Sequence, residues 1–505
     1  MQRIINSAYT IYGVAAIASI LLSLWINTHT VLLNPDAICY LQSAETIHDQ
    51  GLLAAISLCD QSQWPFYSLL IAGGVKVTTF SYEHTAIILN SLFSLLTVLI
   101  FIRIVSLFND KKSICWFAAL IILLFHKWNG IKSDIIRDHG YWFFYLLSVF
   151  FLLQYVQHKK WSNALMWSSS VMFAALFRVE GIIFLLLMPF FILLEKQQTD
   201  MARLKDFLYL NSLFIITGLV LISIAVLHPH IYLGRLSELG VHLHLSALQT
   251  TLIRPYVIAA DWIGHVLFTR DVHDRYLIYF FILMVWYVSI VIAALSLIYV
   301  ALTLLAWQKK LLPPLKNARL VLWGHVFINV VITFIFLIEH QFISTRYVLG
   351  LALTFMLWIP FSLEYLLQQW PKKKWPLILS LFFIGLYGIA GIFHFTDSKQ
   401  YIRDAGDWLN VHVPHTASLY SNDYQVMYYS HHFGNTIFVE QSRFSDLHVL
   451  QENKWKQYDY IALRLNDKTL SDAASVLNEM KALPIIVFTG KHNKEQVRIY
   501  QRIPS

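Results

Sequence analysis

Long apolar runs alternate along this chain with short polar connections, the pattern of helices that cross a membrane. The first run covers about Ile5 to Leu33. It is longer than the apolar core of a signal peptide and no small-residue cleavage site follows it, so it is expected to remain as an anchor. Further runs lie at about Ala86 to Phe108, Ile114 to Phe125, Tyr141 to Tyr155, Ala164 to Phe177, Ile182 to Leu194 and Phe207 to Leu227. Four more follow, at about Leu277 to Trp307, Val321 to Ile338, Val348 to Leu367 and Pro376 to Phe395. The count is about eleven spans, several of them shorter than the roughly 20 residues of a full crossing. The segment QWPFYSLLIAGGVKVTTF is apolar but broken by Pro65, Gly73, Gly74 and Lys76, which predicts an interfacial or re-entrant helix.

The polar connections differ on the two sides. Arg3, Lys111 and Lys112, Lys159 and Lys160, Lys196 with Arg203 and Lys205, Lys309 and Lys310 with Lys316, and Lys372 to Lys374 occupy every second connection. The positive-inside rule makes these cytoplasmic, with the amino terminus inside and the carboxyl terminus outside; Lys127 and Lys132 fall on the outer side against it. The tail from Asp397 to Ser505 is richer in charge. There TASLYSN, NTIFVEQ, YDYIALRL and PIIVFTG read as strands, and Tyr401 to Val411 and Leu470 to Leu483 as helices, enough for one small α/β domain. The expected layout is therefore an α-helical polytopic membrane domain over 1–396, with an outer juxtamembrane loop at 34–83, and an extracytoplasmic α/β domain over 397–505. The tail either shapes a site on the outer face or only stabilises it.

Composition agrees: 57% of residues are hydrophobic and 13% charged, against about 25% charged in a soluble domain. The formal charge of +8 follows from the topology and does not call for nucleic acid. Three cysteines without a CxxC give no metal or redox motif. Cys39 and Cys59 share the first outer loop, where they pair if it faces an oxidising compartment or stand as two free thiols.

Candidate chemistry collects in the outer connections. NPDAICYLQSAETIHDQG puts Asp36, Tyr40 and Ala44 on one face of a helix begun by Pro35, capped by Asn34 or Asp36 and stopped at Gly51, a short amphipathic helix at the membrane surface. In SDIIRDHGYWFF, Asp134 and Asp138 are four apart with Arg137 between them; Asp138 can also cap the helix that follows. Arg178 and Glu180 form an R-V-E-G turn, readable as a local ion pair or as part of a site. EHQFISTRYVLG places Arg346 and Tyr347, with His340 nearby, where a guanidinium can grip a phosphate or snorkel to the interface. Ionisable groups gathered at one membrane depth are a site by default. His228, His230, His242 and His244 lack the i, i+4 spacing of a helical zinc site and read as a polar interfacial loop.

These features together resemble the GT-C superfamily of membrane glycosyltransferases, and within it the protein O-mannosyltransferase-like and aminoarabinose-transferase-like branch. The resemblance covers the layout from about Ile5 to Phe395. It implies a bacterial inner-membrane enzyme that transfers a sugar from a polyprenyl-phosphate donor, with inversion, to a lipid, glycan or protein acceptor on the outer face. It implies Asp36 as general base, with Asp134 or Asp138 holding the acceptor or supporting the base. Asp36 is followed by Ala37, not by the Glu of the Asp-Glu pair in protein mannosyltransferases, which argues against a protein acceptor.

The residue types suit that chemistry. One carboxylate takes the acceptor proton while the sugar passes through an oxocarbenium-like state. Arg137, Arg178 or Arg346, with Tyr347 and His340, can face the leaving phosphate; Tyr40 and Glu180 are supporting candidates. There is no P-loop and no GxGxxG, so no nucleotide is expected. No cofactor is required; a divalent metal would need several carboxylates in one shell, which the two acidic clusters would supply if they met. The competing class is a polytopic transporter or lipid flippase, although the internal repeats and matched broken helices of transporters are not evident. A glycan polymerase or ligase is a nearer neighbour.

Overall fold

The computed structural model describes residues 8–194, 199–227, 249–267, 274–393, 399–432 and 458–502, apart from 314, 316, 371, 468, 471–481 and 492–494. The NTIFVEQ strand, most of the Leu470 to Leu483 helix, and His228, His230, His242 and His244 lie outside these residues.

In chain order the helices are α1 (Ala8–His29), α2 (Pro35–Gln50), α3 (Phe66–Thr78), α4 (Tyr82–Phe108), α5 (Lys112–Leu123), α6 (Asp138–His158), α7 (Trp161–Phe177), α8 (Gly181–Leu193) and α9 (Asp200–Leu227). They continue as α10 (Arg254–Leu267), α11 (Arg275–Leu295), α12 (Leu297–Gln308), α13 (Ala318–His340), α14 (Leu349–Met356), α15 (Ile359–Gln368), α16 (Trp375–Ile392), α17 (Gln400–His412) and α18 (Tyr424–Ser430). Eight stretches among the described residues are long and apolar enough to cross a membrane; α3, α8 and α12 are apolar but shorter. The protein is thus a polytopic helical membrane protein with a small carboxyl-terminal sheet.

The run from Leu277 to Trp307, expected as one span, is two helices. It breaks at Ser296, whose φ of 69° lies in the left-handed region, and a non-glycine residue there ends a helix. Two lysines that mark the expected topology are also ion-paired. Lys159 Nζ lies 2.5 Å from Asp206, which accepts from Tyr155 Oη at 2.6 Å, and Lys111 pairs with Glu364, 5% exposed. Carboxylates this deep are kept only with partners.

The chain divides into two compact units. The first comprises 1–24, 88–132 and 137–393. In it α6 packs along α7, and a Cβ on Gly140 would collide with the ring of Phe177, so only glycine admits that approach. A buried polar chain joins three of its helices: Tyr145 Oη and Thr354 Oγ1 are 2.6 Å apart, and Asn329 Nδ2 donates to Tyr145 Oη at 2.8 Å.

The second unit comprises 25–87, 133–136 and 394–505. Its sheet runs β1 (Leu419–Ser421), β2 (Tyr460–Asn466), β4 (Glu495–Arg502), β3 (Ala482–Thr489), with β1 parallel to β2 and the other pairs antiparallel. Tyr401, Ile402, Ala405 and Leu409 of α17 cover Leu419, Ala462, Val497 and Ile499. Strand β4 is absent from the sequence reading, although it lies between two partners. EQVRIYQR is half polar, and its apolar positions are buried by the neighbouring strands rather than announced by a hydrophobic run.

In this unit α2 begins at Pro35 and stops at Gly51, as its sequence predicts. Its burial is not that of an amphipathic surface helix. Residues Ala37 to Ala44 are all buried, and exposure begins at Glu45. Asn34 holds the N-cap position, but its side chain makes no cap. Cys39 and Cys59 form a disulfide and Cys115 is a buried free thiol. Unfolded without reductant, the protein should therefore alkylate at one cysteine, and at all three after reduction. Three labelled cysteines without reductant would contradict the bond.

Candidate functional site

The predicted residues fall in both units. In the first, the R-V-E-G turn joins α7 to α8, and Gly181 makes it possible: a Cβ there would lie 2.6 Å from the Ala175 backbone nitrogen. The tight turn directs Arg178, 8% exposed, inward. Its guanidinium meets Asp138 through Nη1 and Glu180 through Nη2 at 2.6 Å and Nε at 3.4 Å. Asp138 opens α6 and is 2% exposed. The sequence offered it as a helix cap; the structure gives it to Arg178, and Glu180 does double duty as local pair and site wall.

Two aromatic faces complete the setting. Arg178 Cζ stands 5.6 Å from the ring of Tyr141 and 5.1 Å from that of Tyr347, whose ring also lies 5.4 Å from Arg346 Cζ. All three placements are cation–π geometry. Arg346 and Arg137 also act on Asp138 electrostatically. Arg137 Nη1 is buried without a hydrogen-bond partner among the described residues. Three guanidiniums, those of Arg137, Arg178 and Arg346, thus gather around the Asp138 carboxylate. Half-exposed His340 meets Phe336 in a tilted ring contact at 4.3 Å, and Phe336 stacks on Tyr347 at 4.4 Å, so His340 borders the cluster through that ring.

A small pocket opens here, walled by Tyr141, Arg178, Glu180, Asn329, Phe336 and Tyr347. Tyr141, Asn329 and Phe336 are not among the site residues read from the sequence. Tyr141 was within reach of it, one helical turn after Asp138, and Asn329 is an amide inside an apolar run.

Burial alone would raise the Glu180 carboxyl. The Arg178 charge and hydrogen bonds, with Arg137 behind them, outweigh burial and hold it at about 2. Both carboxylates of this cluster are engaged by Arg178, and no group of three His, Cys, Asp or Glu side chains among the described residues is placed to hold a metal.

In the second unit Asp36 sits in the first turn of α2, half-buried, and accepts a hydrogen bond from Gln61 Nε2 at 3.2 Å. The Cys39–Cys59 disulfide ties the Gln61 loop to the same helix. Tyr40 is a packing residue, 3% exposed and edge-to-face with Tyr67 at 5.1 Å. The expected helical face shared by Asp134 and Asp138 does not form. Asp134 lies at a bend outside α6 and belongs to the second unit. The cause is a tertiary bond: Ile135 N–H donates to Asn34 Oδ1 at 2.8 Å, and Asn34 Nδ2 reaches Ile135 O at 3.5 Å. Asn34 thus holds the acidic segment against the start of α2 instead of capping it.

No family model and no curated relative matches the sequence. Among solved structures, an Archaeoglobus fulgidus oligosaccharyltransferase tethered with an acceptor peptide containing the NVT sequon aligns at a TM-score of 0.51 and 12% identity, over 86% of this chain and 60% of that one. The archaeal oligosaccharyltransferase AglB from the same organism, in complex with an inhibitory peptide and a dolichol-phosphate, aligns at 0.49 and 12% identity, over 85% and 60%. The chain spans about 60% of the length of these structures. At such identity the first alignment speaks for the fold alone: this chain is built like that oligosaccharyltransferase over most of its own length.

Two predictions test the cluster. Arg178→Met strands two buried carboxylates and should cost about 3–5 kcal/mol. Adding Asp138→Asn and Glu180→Gln should recover most of that loss in a thermal melt; a triple variant no more stable than the single one would contradict the pairing. The Glu180 pKa is depressed in the folded state, so its contribution is fully present above about pH 4.5 and is lost as pH falls through about 2. Over that window the wild-type melting temperature should fall more steeply than that of Glu180→Gln, and parallel curves would contradict the assignment.

Proposed function

We propose that the protein is an inverting glycosyltransferase of the membrane. It moves a sugar from a polyprenyl-phosphate donor to an acceptor on the outer face, with the amino terminus cytoplasmic and the carboxyl-terminal domain extracytoplasmic. The observation that carries the proposal is the Arg178 guanidinium, buried, oriented by two carboxylates and lining a pocket within a GT-C-type fold. A guanidinium held in place before the ligand arrives stabilises a developing phosphate charge without reorganising. Arg346, sharing the Tyr347 ring, and Arg137, with its buried Nη1, are the next donors to that anion. Asp138 and Glu180 act through Arg178, while Asp36 is the base.

In the reaction the acceptor hydroxyl gives its proton to Asp36 as its oxygen bonds to the anomeric carbon. The bond from that carbon to the phosphate oxygen breaks, and its electron pair leaves with the polyprenyl phosphate. Attack opposite the leaving group inverts the centre. Asp134, held beside the start of α2, is proposed to orient the acceptor. The Archaeoglobus fulgidus oligosaccharyltransferase is tethered with an acceptor peptide; for this chain a lipid or glycan acceptor is favoured by the single Asp36.

Purified protein given a panel of polyprenyl-phosphate sugars and crude membrane extract as acceptor should release free polyprenyl phosphate, detected by mass spectrometry. Asp36→Asn should lower the rate by about 100-fold or more. An unchanged rate in the variant would remove Asp36 as base, and no release by wild type would contradict the transferase.

A further inference from the structure

Asp36 lies three residues after Leu33, and the backbone at Leu33 is held from both sides by one short helix of the carboxyl-terminal domain, within the same compact unit. Leu33 N–H donates to Tyr429 Oη at 3.0 Å, and Gln425 Nε2 donates to Leu33 O at 2.5 Å. Gln425 and Tyr429 are four apart on α18, so they present one face. All three residues are 7% exposed. Arg403 of α17 adds a third bond, to Val31 O at 3.0 Å, and lies 5.1 Å from the Tyr429 ring.

The clamp is mounted on a braced support. Asp423 caps α18 by accepting from the Gln425 and Val426 N–H groups at 2.8 and 3.1 Å. Its other oxygen pairs with Arg464 at 2.8 Å, and Arg464 is held on β2 and paired with Glu495 at 2.9 Å. A polar chain therefore runs from the sheet through α18 to Leu33. The next residue, Asn34, is fixed to Ile135. A buried backbone N–H and C=O both satisfied by side chains of another element is an unusual expense for a mere connector, since backbone groups are normally met by backbone. It fixes the peptide planes from which α2 departs.

We infer that Gln425 and Tyr429 are positioning residues for the Asp36 carboxylate: the carboxyl-terminal domain sets the direction of α2, and so the geometry of the proton-accepting group. The inference rests on Asp36 as the base. A base moved by about 1 Å costs roughly 100-fold in rate, so a contact that touches no substrate can still govern turnover.

The test is a double-mutant cycle on the full chain, using the polyprenyl-phosphate sugar that wild type consumes, together with hydrogen–deuterium exchange over 31–37. The variant Gln425→Met/Tyr429→Phe is expected to lower kcat by about 10- to 100-fold with KM for the donor within about twofold, and to raise exchange at Leu33. In an Asp36→Asn background the same pair should change the residual rate by less than about twofold, because its effect passes through Asp36. Ser418→Ala, which removes a 2.8 Å bond to Asp459 in the same domain, should leave kcat and exchange at 31–37 unchanged. If the double variant does not fold, Tyr429→Phe alone is read in the same way. Wild-type kcat in the clamp variant alongside an inactive Asp36→Asn overturns the inference and spares the base. A fully active Asp36→Asn overturns both. Equal further losses in both backgrounds mean a merely structural clamp and overturn the inference as well.

Discussion

A guanidinium removed from water must be partnered, and the local structure around Arg178 meets that requirement. Desolvating the charge costs several kcal/mol that only close, well-directed carboxylates offset. Asp138 supplies one from the start of α6 and Glu180 the other from the α7–α8 turn, so the pairing fixes how α6, α7 and α8 meet. Glycine appears where the pairing needs space: Gly181 lets the turn close on Ala175, and Gly140 lets α6 lie against Phe177. The remaining faces of the cation are given to Tyr141 and Tyr347. On the proposed function, such a group meets an anion with its hydrogen bonds and its direction already set.

The second unit solves a related problem with neutral groups. Its acidic residue, Asp36, stands at the first turn of a helix whose approach is held by side chains of distant sequence: Gln425 and Tyr429 at Leu33, Asn34 at Ile135, and a disulfide behind. A carboxylate on a free loop would visit many positions, whereas this one is carried by an element anchored at several points. Both units thus use buried polar contacts to orient an ionisable side chain, one by charge and one by backbone hydrogen bonds.

Much of the helical architecture was legible because apolar runs and their breaks are local signals. The limits of α2, Pro35 and Gly51, could be read directly, and so could the R-V-E-G turn. What sequence reasoning missed was decided by contacts between distant residues. Periodicity put Asp134 and Asp138 on one helical face, yet the bond from Asn34 to Ile135, 101 residues away, bends the chain between them. Asn34 looked like a cap because caps are the local use of asparagine. Strand β4 has too many polar residues to announce itself, and Gln425 and Tyr429 carry no motif at all. The partners of Arg178 were visible as charges, but only the fold says which charge meets which.

The central claim is that the Arg178 cluster receives the phosphate of a polyprenyl carrier. Native mass spectrometry of the protein in lipid nanodiscs with added polyprenyl phosphate tests it without any need to know the sugar or the acceptor. Wild type and Asp36→Asn should retain the lipid equally. The charge-free variant Arg178→Met/Asp138→Asn/Glu180→Gln should retain it at least about tenfold less, the value of one charged hydrogen bond. Equal retention by a folded charge-free variant would contradict the account.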